Sequence, residues 1–204
     1  MQPAAPKPPP SLFAVALVFE LGLAVFAVVL GLLLSTDPFE TVSINLHGLL
    51  AGVLGTLPLL VVFAITWKWP IGPFRSIRAK VETLLAPGLR KCSVAELALI
   101  SIAAGVGEEF LFRGVVQGAL TEPMGVTGAL LFASLVFGLA HAVTVSYAVL
   151  AGLMSVYLGW LWIRTGNLVA PITCHALYDF VALWVFTRST VQTAPAPPSD
   201  HESN

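Results

Sequence analysis

The sequence predicts an all-α integral membrane protein, a bundle of about six transmembrane helices around a polar intramembrane active-site cavity. Hydrophobic residues make up 57% of its 204 residues and charged residues only 10%, and the mean hydropathy is +0.88. Soluble domains carry about 25% charged residues. Six apolar stretches approach the roughly 20 residues that a helix needs to cross a bilayer. Ionisable residues interrupt the later stretches, and because charge inside a bilayer is costly they indicate a functional site.

The first part of the chain is predicted to contribute two of the spans. Residues 1–10 hold five prolines and are expected to form a disordered tail. Residues 11–34 are the first span, and its single charge, Glu20, is expected to reach the interface or to stay protonated. A short acidic loop leads to the second span, residues 46–67. Together with the basic loop that follows, these spans form an N-terminal region, residues 11–92.

The basic loop, residues 68–91, sets six lysines and arginines against one acid, Glu82. Beside membrane spans this pattern indicates a topology signal and a contact with anionic lipids rather than with nucleic acid. Residues 75–85 fit an interfacial amphipathic helix. The distribution of basic residues predicts a multi-pass protein of the cell (inner) membrane with both termini in the cytoplasm.

The second half of the chain, residues 93–187, is predicted to be a four-helix core. Ser93 and Glu96 have the spacing of a helix capping box at its start. The four spans are residues 93–120, 126–141, 146–163 and 168–187. The polar, proline-containing residues 188–204 are expected to form a disordered C-terminal tail.

Glu108, Glu109 and Arg113 lie inside the third span. Each ionised group at the bilayer centre costs about 2.5–3.5 kcal/mol, so three such groups close together need a compensating function. Glu109 and Arg113 are spaced i, i+4 and can pair on one helical face, whereas Glu108 lies about 100° away around the helix. We therefore expect Arg113 to hold Glu109, and Glu108 to face a cavity. Four glycines should keep this helix thin, and the last two should let another helix approach: Gly105, Gly107, Gly114 and Gly118.

Two later spans also carry buried polar groups. His141 ends the fourth span, and His175 and Asp179 lie one helical turn apart in the sixth. Polar groups inside a bilayer must find partners among themselves. We therefore expect these side chains and the cluster of the third span to share one cavity between the third, fourth and sixth spans.

Such a cavity can activate water in two ways. With a metal ion, histidines and carboxylates hold zinc while Glu108 acts as the base; the candidate ligands are Glu109, His141, His175 and Asp179. Without a metal ion, Glu108 takes a proton from water and His141 relays it. His175 and a protonated Asp179 then stabilise the oxyanion. Both versions are hydrolytic and point to a carbonyl substrate near the membrane.

Two non-hydrolytic interpretations fit the same residues. A polar network can merely lock three helices together, or Glu, Asp and His can relay protons in a proton-coupled carrier. The spacing contains neither HExxH nor a soluble zinc signature.

Three motifs in apolar helices carry a resemblance to a known family. They are EExxxR at Glu108–Arg113, FxxxH at Phe137–His141 and HxxxD at His175–Asp179, with Ala170-Pro171-Ile172 ahead of the third. In this order they resemble the CAAX protease and bacteriocin-processing family, also called the CPBP or Abi family of intramembrane proteases. The resemblance covers residues 93–187.

The resemblance implies a polytopic membrane endopeptidase, either glutamate-type or metal-dependent. Its substrate would be a membrane-embedded or lipid-anchored protein or peptide. By this resemblance Glu108 and His141 activate the water, while Glu109 and Arg113 frame the first motif. The alternative is a non-catalytic immunity or scaffold factor of the same fold.

The last motif departs from the CaaX-cleaving members. The resemblance assigns His175 and the residue one turn after it to oxyanion stabilisation, and those members usually have Asn at the second position. This chain has Asp179 there. Asn donates a hydrogen bond at any pH and ionised Asp cannot. Asp179 therefore fits a metal-binding or histidine-orienting role equally well.

Overall fold

The computed structural model describes residues 11–84 and 86–188, a bundle of apolar helices without strands over that part of the chain. The predicted tails, residues 1–10 and 189–204, and Leu85 lie outside the described residues. The helices are α1 Leu12–Leu34, α2 Leu46–Lys68, α3 Pro73–Leu84, α4 Ala86–Leu89, α5 Val94–Glu109, a π-helical segment Phe110–Gln117, α6 Gly118–Ala140, α7 Val145–Thr165 and α8 Val169–Arg188. The predicted all-α membrane fold is confirmed, and α8 continues to Arg188 where the sequence suggested the start of a tail.

The helix ends follow the capping chemistry of the sequence. Asn45 and Thr144 accept a backbone N–H at the starts of α2 and α7. The capping box predicted for α5 is confirmed, because Ser93 accepts from the N–H of Glu96 while the Glu96 side chain accepts from the N–H of Ser93. At the end of α7, Gly166 takes a left-handed conformation with φ of 60°.

The third apolar segment, Val94–Ala140, is 47 residues long and crosses the bundle twice. A bilayer needs only about 20 helical residues per crossing. The chain turns back at Gly125, whose φ of 71° and ψ of 163° are not helical. The rings of Phe112 and Phe137 lie 4.8 Å apart, a contact that a continuous straight helix cannot make. Five long apolar segments therefore supply the predicted six spans, and the predicted turn at residues 121–125 is where the reversal occurs.

A π-helical segment, Phe110–Gln117, follows directly after the two glutamates. The sequence predicts one regular α-helix here. A π-helix closes its hydrogen bonds over five residues instead of four, which changes the direction of the side chains that follow, and such segments are frequent at functional sites. Arg113 and Gln117 both lie in this segment and are buried. No residue type in this run distinguishes a π turn from an α turn in advance.

Glycines let two helices pack closely on opposite faces of α5. A Cβ at Gly105 would lie 2.9 Å from the carbonyl oxygen of Ile172 in α8, and a Cβ at Gly107 would lie 2.5 Å from the carbonyl oxygen of Glu20 in α1. Helix α2 approaches α8 in the same way at Gly52. Small residues are the usual means of close helix contact in a bilayer. Helix α5 is therefore held between α1 and α8.

The close approach predicted at Gly114 and Gly118 comes mainly from the loop after α1, and from another helix only through Trp162 of α7, 3.9 Å from a Cβ at Gly118. A Cβ at Gly114 would meet the carbonyl oxygen of Pro38 at 2.9 Å, and one at Gly118 would meet Thr36 at 3.4 Å. The loop that follows α1 occupies this surface. The same loop is bound to the turn between α7 and α8. Oδ1 of Asn167 accepts from the N–H of Ser43, and Nδ2 of Asn167 donates to the carbonyl oxygen of Ser43.

Part of the basic loop forms a helix, as predicted. It begins slightly earlier than expected, and α3 spans Pro73–Leu84. Arg78 pairs with Glu82 at 2.8 Å and lies 4.1 Å from the ring centre of Trp67 at the end of α2. These contacts fix α3 against the end of α2, next to the polar face of the bundle.

The crossing of α1 and α5 gives a prediction on stability. Gly107→Ala should lower the free energy of unfolding by about 1–3 kcal/mol, the usual effect of overpacking, because its Cβ would meet the backbone of α1. Gly22→Ala is the matched control, since Gly22 has no neighbouring atom within 4 Å of an added Cβ. Denaturant titration in mixed micelles measures both. Equal effects of the two substitutions would contradict close packing at Gly107.

Candidate active site

The structure brings the six predicted site residues to one place. Glu108 and Glu109 end α5, His141 follows α6, and His175 with Asp179 projects from α8. Arg113 approaches from the π-helical segment. Every one of them contacts another member of the group within 4 Å, through the ion pairs and close contacts described below.

Arg113 and Glu109 form the buried centre of the site, and their predicted pairing is confirmed. Nη1 of Arg113 donates to Oε1 of Glu109 at 3.0 Å, and the side chains are 1% and 0% exposed. The same Oε1 accepts from Nδ1 of His175 at 2.8 Å. Glu109 therefore joins α5, the π-helical segment and α8 through one oxygen atom.

Ser155 of α7 is a site residue that sequence reasoning missed. Nη2 of Arg113 donates to its carbonyl oxygen at 2.8 Å and to its hydroxyl at 2.9 Å. The arginine also lies 5.2 Å from the ring centre of Phe137. The only available signal was that a buried guanidinium has five donors and that Glu109 alone cannot satisfy them. Ser155 lies in a span that has no charged residue before Arg164, so its neighbours in the sequence did not indicate a site residue.

His141 is oriented by its own FxxxH motif. Its Nδ1 lies 2.9 Å from the carbonyl oxygen of Phe137, and the two rings stack with centres 4.3 Å apart. A carbonyl oxygen only accepts, so Nδ1 carries a proton and donates it. In the neutral ring Nε2 is then an acceptor, and it points toward Oε1 of Glu108 at 3.7 Å. The motif spacing thus sets both the ring plane and the tautomer.

Glu108 faces the cavity, as the helical geometry predicted. The cavity has a volume of about 100 Å³, and its wall includes Glu108, His141, His175 and Asp179. Glu108 lies between the two histidines, with Oε2 at 3.8 Å from Nε2 of His175. That separation exceeds a direct hydrogen bond. Oε2 of Glu108 is buried and has no hydrogen-bond partner among the described residues.

His175 links the structural glutamate to the cavity. Its Nδ1 is bonded to Glu109, so the opposite nitrogen, Nε2, faces Oδ2 of Asp179 at 3.5 Å. The Asp179 side chain is 30% exposed and is the least buried carboxylate of the group. Asp179 therefore sits where the ring of His175 meets the open end of the site.

The site cannot hold all its carboxylates ionised at little cost. Glu108, Glu109 and Asp179 oppose a single guanidinium, which leaves two uncompensated negative charges when both histidines are neutral. Unpaired charge in a low-dielectric interior is strongly unfavourable. Two protons shared by Glu108, Asp179 and the histidines make the group neutral.

The predicted metal ligands lie in one cluster but do not surround a common point. Among residues 11–84 and 86–188, no three or more His, Cys, Asp or Glu side chains are arranged to hold a metal ion. Glu109 binds Nδ1 of His175, whereas Asp179 faces Nε2 on the other side of the ring. The zinc ligands predicted from the sequence therefore do not fit this arrangement as a set, because Glu109 already accepts hydrogen bonds from Arg113 and His175.

Glu20 is a further carboxylate beside the site, where the sequence suggested an interfacial side chain. Helix α1 crosses α5 at this residue, next to Gly107. Its Oε2 is buried without a hydrogen-bond partner among the described residues, and the carboxyl group is within electrostatic range of Glu108 and Asp179. Glu20 thus stays inside the bundle instead of reaching the interface. Its protonation remains a prediction.

The comparisons with known proteins agree with the three motifs. Residues 91–181 match the family model described as Rce1-like, type II CAAX prenyl endopeptidase. This segment contains all six predicted site residues, and the resemblance to the CPBP family is confirmed over it. Helices α1, α2 and α3 lie outside the matched segment. Comparison with curated proteins and with solved structures finds no match.

The buried ion pair gives a second prediction. Arg113→Met should lower the free energy of unfolding by about 3–5 kcal/mol, because Glu109 is left as an uncompensated buried charge. Adding Glu109→Gln should recover part of that loss, since the remaining amide oxygen still accepts from His175. Denaturant titration in mixed micelles measures the free energy of unfolding of the wild type, the Arg113→Met variant and the double variant. Arg164→Met, in the exposed last turn of α7, is the control. Purely additive losses would contradict a coupled pair.

Proposed function

We propose that the protein is an intramembrane endopeptidase that hydrolyses a peptide bond in a membrane-embedded or lipid-anchored protein. The observation that carries the proposal is the position of Glu108. It is a buried carboxylate whose Oε2 has no hydrogen-bond partner among the described residues, and it lines a cavity between two histidine nitrogens. An acceptor without a donor, next to space for water, is the arrangement that a general base requires.

In this proposal Glu108 and His141 activate a water molecule. Oε2 of Glu108 takes the proton, and the resulting hydroxide attacks the carbonyl carbon of the substrate. The bare Nε2 of His141 accepts a hydrogen bond from the same water, since Nδ1 is held as the donor to Phe137. The contacts of 3.7 and 3.8 Å to Glu108 are long, and contacts in a free enzyme commonly shorten when substrate binds.

His175 and Asp179 stabilise the oxyanion that forms on the carbonyl oxygen. The donor is the Nε2–H of protonated His175 or the O–H of protonated Asp179, which lie 3.5 Å apart and share one proton. Glu109 and Arg113 take no proton from substrate. They fix the ring of His175 from its other nitrogen. When the C–N bond breaks, the proton held by Glu108 passes to the leaving nitrogen.

The membrane orientation follows from charge. We propose that α3 and the basic loop face the cytoplasm, together with both termini. Cys92, which is partly exposed at the end of that loop, should react with a membrane-impermeant maleimide only after the cells are opened. Arg164→Cys, at the opposite end of α7, should react in intact cells. Labelling of Cys92 in intact cells would contradict the orientation.

The central prediction concerns peptide cleavage. Glu108→Gln should reduce cleavage by about 10²–10⁴-fold, the typical contribution of a general base. The measurement is a profile of protein termini in membranes from cells that make the wild type or the variant at equal levels. Termini that appear only with the wild type identify the substrate.

Two controls separate peptidase chemistry from the other interpretations. Glu122→Gln makes the same isosteric change at an exposed position near the start of α6 and should cleave like the wild type. His141→Ala should lose the same termini as Glu108→Gln. If both Glu108→Gln and His141→Ala fold and neither changes the profile of protein termini, the endopeptidase proposal fails. A pH-gradient-driven flux that disappears in Glu108→Gln would then identify a carrier.

A further inference from the structure

A second cavity opens beside the candidate active site, beneath α3. Its volume is about 220 Å³. Four residues line both cavities: Tyr147, Leu150, Tyr178 and Asp179. The two cavities are therefore adjacent, and a chain bound across Glu108 and His175 would bring its neighbouring residues close to the second cavity.

The walls of this second cavity are mostly aromatic and aliphatic. Trp67 and Phe186 meet edge to face with ring centres 4.8 Å apart, and Phe63 lies against Tyr178 at 6.1 Å. Helix α3 closes the top with Phe74, Ile77 and Val81. An apolar space gains little from water and suits an apolar group. Its charged lining residues are Asp179, which also lines the candidate active site, and Arg78 of α3.

The outer wall is held in place by Arg78. This residue bonds Glu82 in its own helix, donates to the carbonyl oxygen of Trp67 at 3.4 Å and stacks on the Trp67 ring. Arg78 is thus occupied as a structural tie between α3 and α2. Helices α2 and α3 lie outside the segment that matches the family model, so the outer half of this cavity is a feature of this chain's own N-terminal region.

We propose that this cavity is a specificity pocket that binds one large apolar side chain, aromatic or branched aliphatic, of the peptide substrate beside the scissile bond. The inference rests on the proposed endopeptidase function. Size supports the occupant, since apolar cavities of about 150 Å³ hold a benzene ring. The 220 Å³ available is below the roughly 300 Å³ at which pockets for whole drug-sized ligands begin. This volume matches one large side chain.

Filling the pocket tests the proposal on cleavage. Ala182 lines the second cavity but not the first. Ala182→Leu should reduce cleavage at sites with a large apolar residue at one fixed position by at least tenfold, and should leave cleavage beside small residues unchanged. Ala64→Leu makes the same change on an exposed position of α2 and should keep the wild-type preference. An unchanged preference in Ala182→Leu, with cleavage intact, overturns the pocket and leaves the endopeptidase proposal standing.

A binding measurement separates the pocket from catalysis. In a Cys92→Ser background, the thiol of an Ala182→Cys protein is labelled with benzyl methanethiosulfonate. N-acetyl-phenylalanine amide should slow the labelling several-fold, and N-acetyl-alanine amide should not. Protection without any cleavage would support the pocket while the endopeptidase proposal fails. Equal labelling rates with both amides, or protection by a long-chain fatty alcohol alone, would overturn the pocket.

Discussion

The ion pair of Arg113 and Glu109 is the constraint on which the rest of the structure depends. Both side chains are almost completely buried in an apolar bundle, where neither charge is tolerable without the other. The pair is satisfied only by groups from other elements. Ser155 of α7 supplies two acceptors and His175 of α8 supplies a donor. Helices that could otherwise slide along one another in lipid are therefore held at one depth.

This arrangement explains why two adjacent glutamates have different environments. Glu109 points toward Arg113, inside the bundle. Glu108, about 100° away around the same helix, points into the cavity. Arg113 neutralises one carboxylate and leaves the other free. The glycines on two faces of α5 add to the effect, because α1 and α8 approach closely and exclude lipid from the site. A buried carboxylate without a direct ion-pair partner can thus exist in the apolar bundle at a tolerable cost.

The two halves of the chain contribute differently to the site. The segment that matches the family model contains the six clustered site residues. The N-terminal helices supply the surroundings, with Glu20 of α1 behind α5 and α3 over the outer cavity. The chemistry of a peptidase depends on a few fixed atoms, whereas substrate choice depends on the shape of the space beside them. If the protein is the endopeptidase proposed above, different parts of the sequence meet those two requirements.

The spans, the capping box of α5 and the pairing of Glu109 with Arg113 were predictable from the sequence. Each depends on local hydrophobicity or on a helical repeat of a few residues, and the cost of charge in lipid made Glu108, His141 and His175 conspicuous. The π-helical segment, Ser155, the place of Glu20 and the loop against Gly114 were not predictable. They arise from contacts between residues far apart in the chain, and a serine or a glycine carries no local sign of its partner. Only the packed bundle decides which carboxylate oxygen accepts hydrogen bonds, as Oε1 of Glu109 does, and which has no partner, as Oε2 of Glu108 does, because this depends on the distances between helices.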